Sequence, residues 1–368
     1  MHDPSTHIRH IFVEECCSEL ADTRAILARA AGIPVTLLPD RQPPPVGIDD
    51  FPQNLTEGKR NLYLCRNRGR FLKTCPATRH YRCCGYHVLN IGAGCPMDCV
   101  YCILQAYLNN PCLSFFVNSE DLFAELDSVP RDRFLRIGTG EFTDSMALDR
   151  LTGLSARLVE FFADRDNMVL ELKSKAVVVD HLRHLRHRGR TIMAWSLNSP
   201  RVVAREEIRT APLAARLDAA ARCAEWGYPL AFHFDPIVYH EGWQEEYETT
   251  IEALFARVPA ERIAWISLGG LRYLPQLSVI AGGRFPGSAI FHEEFVPGLD
   301  GKQRYFRRRR AELYRHIGAL LRRHAHPHTC IYFCMESDEI WRETFGYTPE
   351  ERDGLPAMLD RTARMFRA

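Results

Sequence analysis

The chain has 368 residues, 46% of them apolar and 25% charged, which are ordinary proportions for a globular protein of one large domain or two. Its formal net charge of +1 excludes a global electrostatic pull toward nucleic acid or membrane, so any such attraction must be local. Thirteen cysteines, an odd number in a long chain without an export pattern, argue against a disulfide framework and for reduced thiols, some of them metal ligands.

The N-terminal MHDPSTHIRHIF has no basic-then-apolar signal, and no window approaches the length of a membrane span; a cytoplasmic protein with no membrane contact is expected. Residues 1–85 read as a leader region. It holds a helix over 21–31, a Pro-rich loop over 39–45 and a basic stretch over 59–73 with a short apolar piece at 61–64. From residue 87, short apolar runs alternate with longer helical stretches. Strands are predicted over 87–91, 134–137, 168–172, 191–195, 230–234 and 263–268, and helices over 119–126, 148–163, 181–188, 212–225 and 243–255. That alternation implies an α/β fold of parallel strands joined by crossover helices, and nearly all-apolar strands imply that both sheet faces are covered. An open or closed βα barrel and a doubly wound sheet both fit. A basic helix is predicted over 302–326, with Phe306, Leu313 and Leu320 on one stripe and Arg308, Arg315 and Arg322 on another. A last strand around Cys330–Cys334 and an acidic tail ending in a helix over 355–366 complete the chain.

The segment from Gly94 to Gln105 contains Cys-x3-Cys-x2-Cys at Cys95, Cys99 and Cys102. It follows the first predicted strand of the alternating series, at the strand end where parallel α/β folds place their chemistry. Three thiolates at this spacing can hold three corners of a [4Fe–4S] cluster and leave the fourth iron for S-adenosylmethionine (SAM). A structural zinc site would use paired Cys-x2-Cys or Cys/His knuckles. The 3-then-2 spacing, with Tyr101 before the last cysteine, points to the cluster.

Further blocks stand in order behind this motif: Phe116-Val-Asn-Ser-Glu-Asp-Leu, Ser174-Lys-Ala-Val-Val-Val-Asp-His-Leu, Trp195-Ser-Leu-Asn, the run 224–230 ending Gly-Tyr-Pro-Leu, and Tyr239-His-Glu-Gly-Trp. With them the sequence resembles the spore photoproduct lyases, radical SAM enzymes of DNA repair, over about 87–255 and more weakly to about 326. The resemblance implies a partial (β/α)6 TIM-type barrel with N- and C-terminal additions, divided as an N-terminal region 1–85, a barrel 86–300 and a basic helix and tail 301–368. It also implies SAM contacts from Thr143, Lys175 and Ser196, and an electron donor such as flavodoxin or ferredoxin. The physical reading agrees for Lys175 and Ser196, which lie just past predicted strand ends: a lysine can pair with the SAM carboxylate, and a serine can bond ribose or carboxylate.

Three departures stand out. The lyases carry a hydrogen-donating cysteine after the second barrel strand, where Gly138-Thr-Gly-Glu-Phe-Thr-Asp places Glu141. A carboxylate cannot replace a thiol as hydrogen-atom donor, because its O–H bond is too strong, but Glu141 can bind the SAM amino group. The lyases have a tyrosine directly after the third cluster cysteine, where Ile103 stands. The C-terminal tail and several cysteines have no counterpart. Cys83, Cys84 and Cys334 are candidate catalytic residues; the functional readings are a second metal or cluster site built from some of Cys75, Cys83, Cys84, Cys330 and Cys334, or a hydrogen atom supplied by one of these five. Buried small apolar residues are the plainer reading of each. Asp235, His233 and Trp243 are candidate substrate or cofactor contacts. DNA is the expected partner, with the basic helix a source of salt-sensitive phosphate contacts. A radical SAM enzyme acting on a small molecule or peptide and a non-enzymatic metal-binding nucleic-acid module are the alternatives.

Overall fold

The computed structural model describes residues 2–46, 52–76 and 80–366. All six predicted strands of the alternating region form: β1 (His87–Leu89), β2 (Leu135–Gly138), β3 (Met168–Ser174), β4 (Thr191–Ser196), β5 (Leu230–Ile237) and β6 (Ile263–Gly270). They lie side by side in chain order, and every neighbouring pair is parallel. β7 (Cys330–Phe333) extends the sheet beyond β6, again in parallel, and Leu72–Thr74 covers the far edge of β1 as an antiparallel strand. The result is a curled half-barrel with helices outside, among them Leu154–Ala163, Leu213–Glu225, Trp243–Arg257 and Arg307–His324. Every residue of β6 is buried, as is every residue of β2 and β4, which is why these strands read as continuous apolar runs rather than alternating ones.

The predicted N-terminal helix forms as Ala21–Arg29, but this region also builds a sheet that its sequence did not announce. His10–Glu14 lies between Val35–Leu38 and Asn61–Cys65, all parallel; Leu113–Phe116 pairs parallel with Asn61–Cys65, and Gly92–Ala93 pairs antiparallel with Leu113–Phe116. Sheet hydrogen bonds therefore run across residue 85, as those of β7 run across residue 300.

Three helix expectations are corrected. The stretch 148–163 is two helices, Asp149–Thr152 and Leu154–Ala163, broken at Gly153, whose φ of 62° is left-handed. Residues 181–188 give only a short 3-10 turn at Asp180–Leu182; Arg188 and Gly189, both with positive φ, turn the chain back into β4. The basic helix begins at Arg307, not 302. Gln303–Tyr305 instead forms an antiparallel ribbon with Phe295–Pro297 and Arg272–Tyr273, because Arg304 and Tyr305 are buried there. Leu313 and Leu320 of the predicted stripe are buried, whereas Arg315 and Arg307 pair with Glu343 of the tail. Among the described residues, no helix is long and apolar enough to cross a membrane.

Candidate active site

The segment between β1 and the second barrel strand carries the three cysteines on backbone with little regular structure, so side chains must hold it. Asp98–Cys99 bridges antiparallel to Glu207–Ile208. The Gln105 side-chain amide donates to the carbonyls of Cys99 and Val100 at 3.1 and 3.0 Å. The Tyr101 hydroxyl donates to Glu207, whose other oxygen accepts from Arg216 at 2.5 Å. Arg216 has no exposed surface and also donates to the carbonyls of Ala211 and Ser196, at 2.8 and 2.9 Å. One buried guanidinium thus ties the cysteine loop to the end of β4.

A cleft of about 310 Å³ opens at the C-terminal ends of the barrel strands, at the lower end of the range for small-molecule sites. Cys95, Cys99 and Cys102 line one side, and the expected SAM contacts Glu141, Thr143, Lys175 and Ser196 line the same space. Residues spread over a hundred positions meet here because successive parallel strands all end on one rim. Glu141 Oε1 accepts from Lys173 Nζ at 3.1 Å. Burial works against the Lys173 ammonium, but Glu141 and Glu171 outweigh it and hold its pKa above the usual lysine value. Lys175 Nζ lies 5.6 Å from the centre of the Tyr101 ring.

Several residues that line the cleft were not marked in the sequence. Asp144 accepts from the Ser174 hydroxyl at 2.7 Å and from the backbone N–H groups of Lys175, Met146 and Ala147 at 2.9–3.0 Å, so it sets the backbone from which Lys175 projects. Its only sequence signal is its place at the end of the Gly138–Asp144 block. Arg272 pairs in two-pronged fashion with Asp235 at 2.9 and 3.0 Å across the cleft, and Lys302 closes the same side. Of the other expected contacts, Asp235 lines the cleft. His233 instead lies inside the barrel, 2.8 Å from Glu171 and 2.7 Å from Ser267. Trp243 is buried, its ring edge-on to His316 at 5.0 Å.

The fit of an iron–sulfur cluster can be judged from the thiols. Burial pushes Cys99 up to about 12 and Cys95 well above the usual thiol range, so thiolates there require a strong local cation such as bound metal. A single zinc would draw its sulfurs to about 4 Å of one another. Among the described residues, Cys95, Cys99 and Cys102 are not among the groups whose ligand atoms all fall within 4.8 Å. Three thiols from one loop lining one cleft are the donor set that a cluster with one open iron needs. The group that does converge so closely is Glu14, Cys16 and Cys17. Glu14 there already accepts from Arg68 at 2.6 Å and from the Arg41 and Arg66 N–H groups at 2.7 and 2.9 Å, which makes it a structural tie.

Of the thiols outside the trio, Cys75 is the one that lines the cleft among the described residues. It is pushed to about 12 by burial, then by Glu141 and Cys84. Cys334 Sγ is 3.4 Å from Arg272 Nη2, and Cys83 Sγ accepts from the Gly85 N–H at 3.4 Å. The Cys84 carbonyl accepts from Arg136. No three of Cys75, Cys83, Cys84, Cys330 and Cys334 bring their sulfurs within 4.8 Å of one another.

A parallel half-barrel with a three-thiol loop after its first strand, facing a cleft at the strand ends, is the architecture of the radical SAM class. The model of the spore photoproduct lyase family matches residues 79–272, and the chain belongs to that family. It is 34% identical to the spore photoproduct lyase of Bacillus subtilis (strain 168) over 179 residues, 48% of this chain and 52% of that one. It is 26% identical to that of Clostridium acetobutylicum over 207 residues, 55% and 60% of the two chains. The chain thus spans about half the length of the curated relatives it matches. Among solved structures, a spore photoproduct lyase mutant with bound AdoMet and dinucleoside spore photoproduct superposes with a TM-score of 0.79 at 22% identity, covering 88% of this chain and 98% of that one. The lyase complexed with the dinucleoside alone gives 0.78 at 22% identity, over 89% and 98%. These likenesses establish the shared fold.

Proposed function

We propose that this protein is a radical SAM enzyme that acts on DNA in the manner of a lesion lyase. It would hold a [4Fe–4S] cluster on Cys95, Cys99 and Cys102 and bind SAM beside it. The observation that carries this reading is the single cleft in which those three cysteines face Glu141, Thr143, Lys175 and Ser196. When bound, a reduced cluster of this kind gives one electron to SAM and breaks a sulfonium C–S bond, yielding a 5′-deoxyadenosyl radical.

The chain's own residues supply binding and order. Glu141, steadied by Lys173, accepts from the SAM amino group; Lys175 pairs with its carboxylate; Thr143 and Ser196 bond its hydroxyl or carboxylate oxygens. Ile103, Leu104, Phe142 and Leu271 wall the cleft and keep water from a reactive intermediate. The DNA substrate rests on family membership, and a flavodoxin or ferredoxin of the cytoplasm is the proposed electron source. Because Glu141 cannot donate a hydrogen atom, we assign that role to the thiols Cys75, Cys83, Cys84 and Cys334, of which Cys75 stands at the cleft wall. The Glu141–Lys173 pair at this position also favours a second reading, the same radical chemistry on a small molecule or peptide.

Anaerobic reconstitution tests both. The wild type is expected to hold about four irons with matching sulfide and to release 5′-deoxyadenosine from SAM, and a Cys95/Cys99/Cys102→Ala variant to do neither. Cleavage of a spore-photoproduct dinucleotide selects the lesion lyase. Release of 5′-deoxyadenosine without that cleavage selects the second reading, and a colourless zinc protein without sulfide overturns both.

A further inference from the structure

Asp98 lies between Cys95 and Cys99 and is 2% exposed. Three cations converge on its carboxylate. Lys59 Nζ is 2.8 Å from Oδ1; Arg284 Nη2 is 2.9 and 2.8 Å from the two oxygens; Arg209 Nη2 is 3.0 Å from Oδ2. Thr56 also donates to Oδ2, at 3.1 Å. The three cationic side chains are only 7%, 3% and 14% exposed, in that order.

Anchoring the loop needs one cation. Three facing one carboxylate leave a buried surplus of positive charge, which is costly unless negative charge stands nearby. Among the described residues, neither acid near Arg209 in sequence forms an ion pair with the three cations: Glu207 pairs with Arg216, and Glu206 accepts from the Ser288 hydroxyl at 2.7 Å. Arg209 Nε and Arg284 Nε have no hydrogen-bond acceptor among the described residues, and Arg209 Nη2, though 3.0 Å from Asp98 Oδ2, meets it as an ion pair without an aligned hydrogen bond. The surplus also sits on the cysteine loop itself. Lys59 Nζ donates to the Met97 carbonyl at 2.7 Å, and Lys59 lines one small cavity together with Cys95 and Cys102. A four-iron cluster on three thiolates is net negative in both oxidation states, and more so once reduced.

We infer that Lys59, Arg209 and Arg284, gathered on Asp98, form a buried cationic cradle under the cluster site that offsets the cluster's negative charge and raises its reduction potential. The inference rests on the radical SAM reading. It adds positioning residues that lie outside the matched family region, since Lys59 and Arg284 both fall beyond residues 79–272.

The test is the midpoint potential of the reconstituted full chain, followed by electron paramagnetic resonance without SAM or substrate, with iron and sulfide assayed in parallel. Lys59→Met removes one cation, so reduction should become harder. The reduced-to-oxidised ratio at a fixed potential should fall about tenfold, a downward shift of about 59 mV for a one-electron couple. Asp98→Asn removes the anion and should move the midpoint upward; water entering a loosened site would raise it too, so the downward shift of Lys59→Met is the one that loosened folding does not produce. Lys73→Met, at an exposed position, should leave it unchanged. The cradle is overturned if either of the first two variants holds iron without moving in its stated direction. It is equally overturned if both lose the cluster, which would make the group a folding device. A wild type that binds no iron and sulfide fails the radical SAM reading instead.

Discussion

Glu171 points from β3 into the barrel and is buried there. It accepts from the indole of Trp265 at 2.9 Å and lies 2.8 Å from His233. Burial opposes its ionisation, but His233 and these bonds prevail and hold its pKa at about 2, against 4.5 in an open chain. Because the folded value is the lower one, its stabilisation is complete above about pH 4.5 and is lost as the pH falls from there toward 2. The shift corresponds to about 3 kcal/mol at neutral pH. Urea unfolding across that window should show the wild type losing stability more steeply than Glu171→Gln; parallel curves would remove the linkage. Nearby, Gly138 is glycine for a reason of space: a Cβ there would sit 1.4 Å from the Tyr86 hydroxyl oxygen. Neither fact is legible in the sequence, where Glu171 is one acid in an apolar run and Gly138 one of two glycines before Glu141. Cys95, Cys99 and Cys102 are legible because their ligand spacing is local.

At the scale of elements, the cysteine loop is held by a helix that follows it by more than a hundred residues. Arg216, on Leu213–Glu225, neutralises Glu207 and reaches the Ser196 carbonyl. Removing one partner of such a buried pair strands the other's charge, so Arg216→Met should cost about 3–5 kcal/mol in urea unfolding. Adding Glu207→Leu should recover much of that loss, because no unpaired charge then remains. A single variant within about 1 kcal/mol of wild type would show that the pair is not what secures the loop. The strands were legible because most of their residues are buried on both faces, so each announces itself within three to eight residues. The sheet over the first 65 residues was not, because its ladders join distant runs such as His10 and Asn61, and no short window contains both partners.

At the scale of the whole molecule, the cleft draws on residues from Cys75 to Met335, so a ligand bound there braces the first strand of the sheet and the last together. SAM at about a hundred times its dissociation constant should stabilise the reconstituted protein by about 2.7 kcal/mol, visible as a rise of several degrees in Tm. Lys175→Met should abolish most of that rise while leaving the melting of the SAM-free protein within a few degrees of wild type. An unchanged rise would place SAM elsewhere. The basic helix shows how charge depends on tertiary partners. Read alone it is a run of arginines, but Arg307 and Arg315 share the Glu343 carboxylate, and Arg322 stacks on Phe345.

The sequence by itself determined the parallel α/β order of the strands and the cysteine trio, because each is written in short-range spacing and periodicity, while the family resemblance added the barrel and its rim residues. Only the tertiary structure decided which charges meet. Asp98 collects cations from residues 59, 209 and 284, Glu141 takes Lys173, and Arg216 ties the cysteine loop to β4. Burial and ion pairing are properties of contacts between distant segments, and such contacts exist only once the chain has closed on itself.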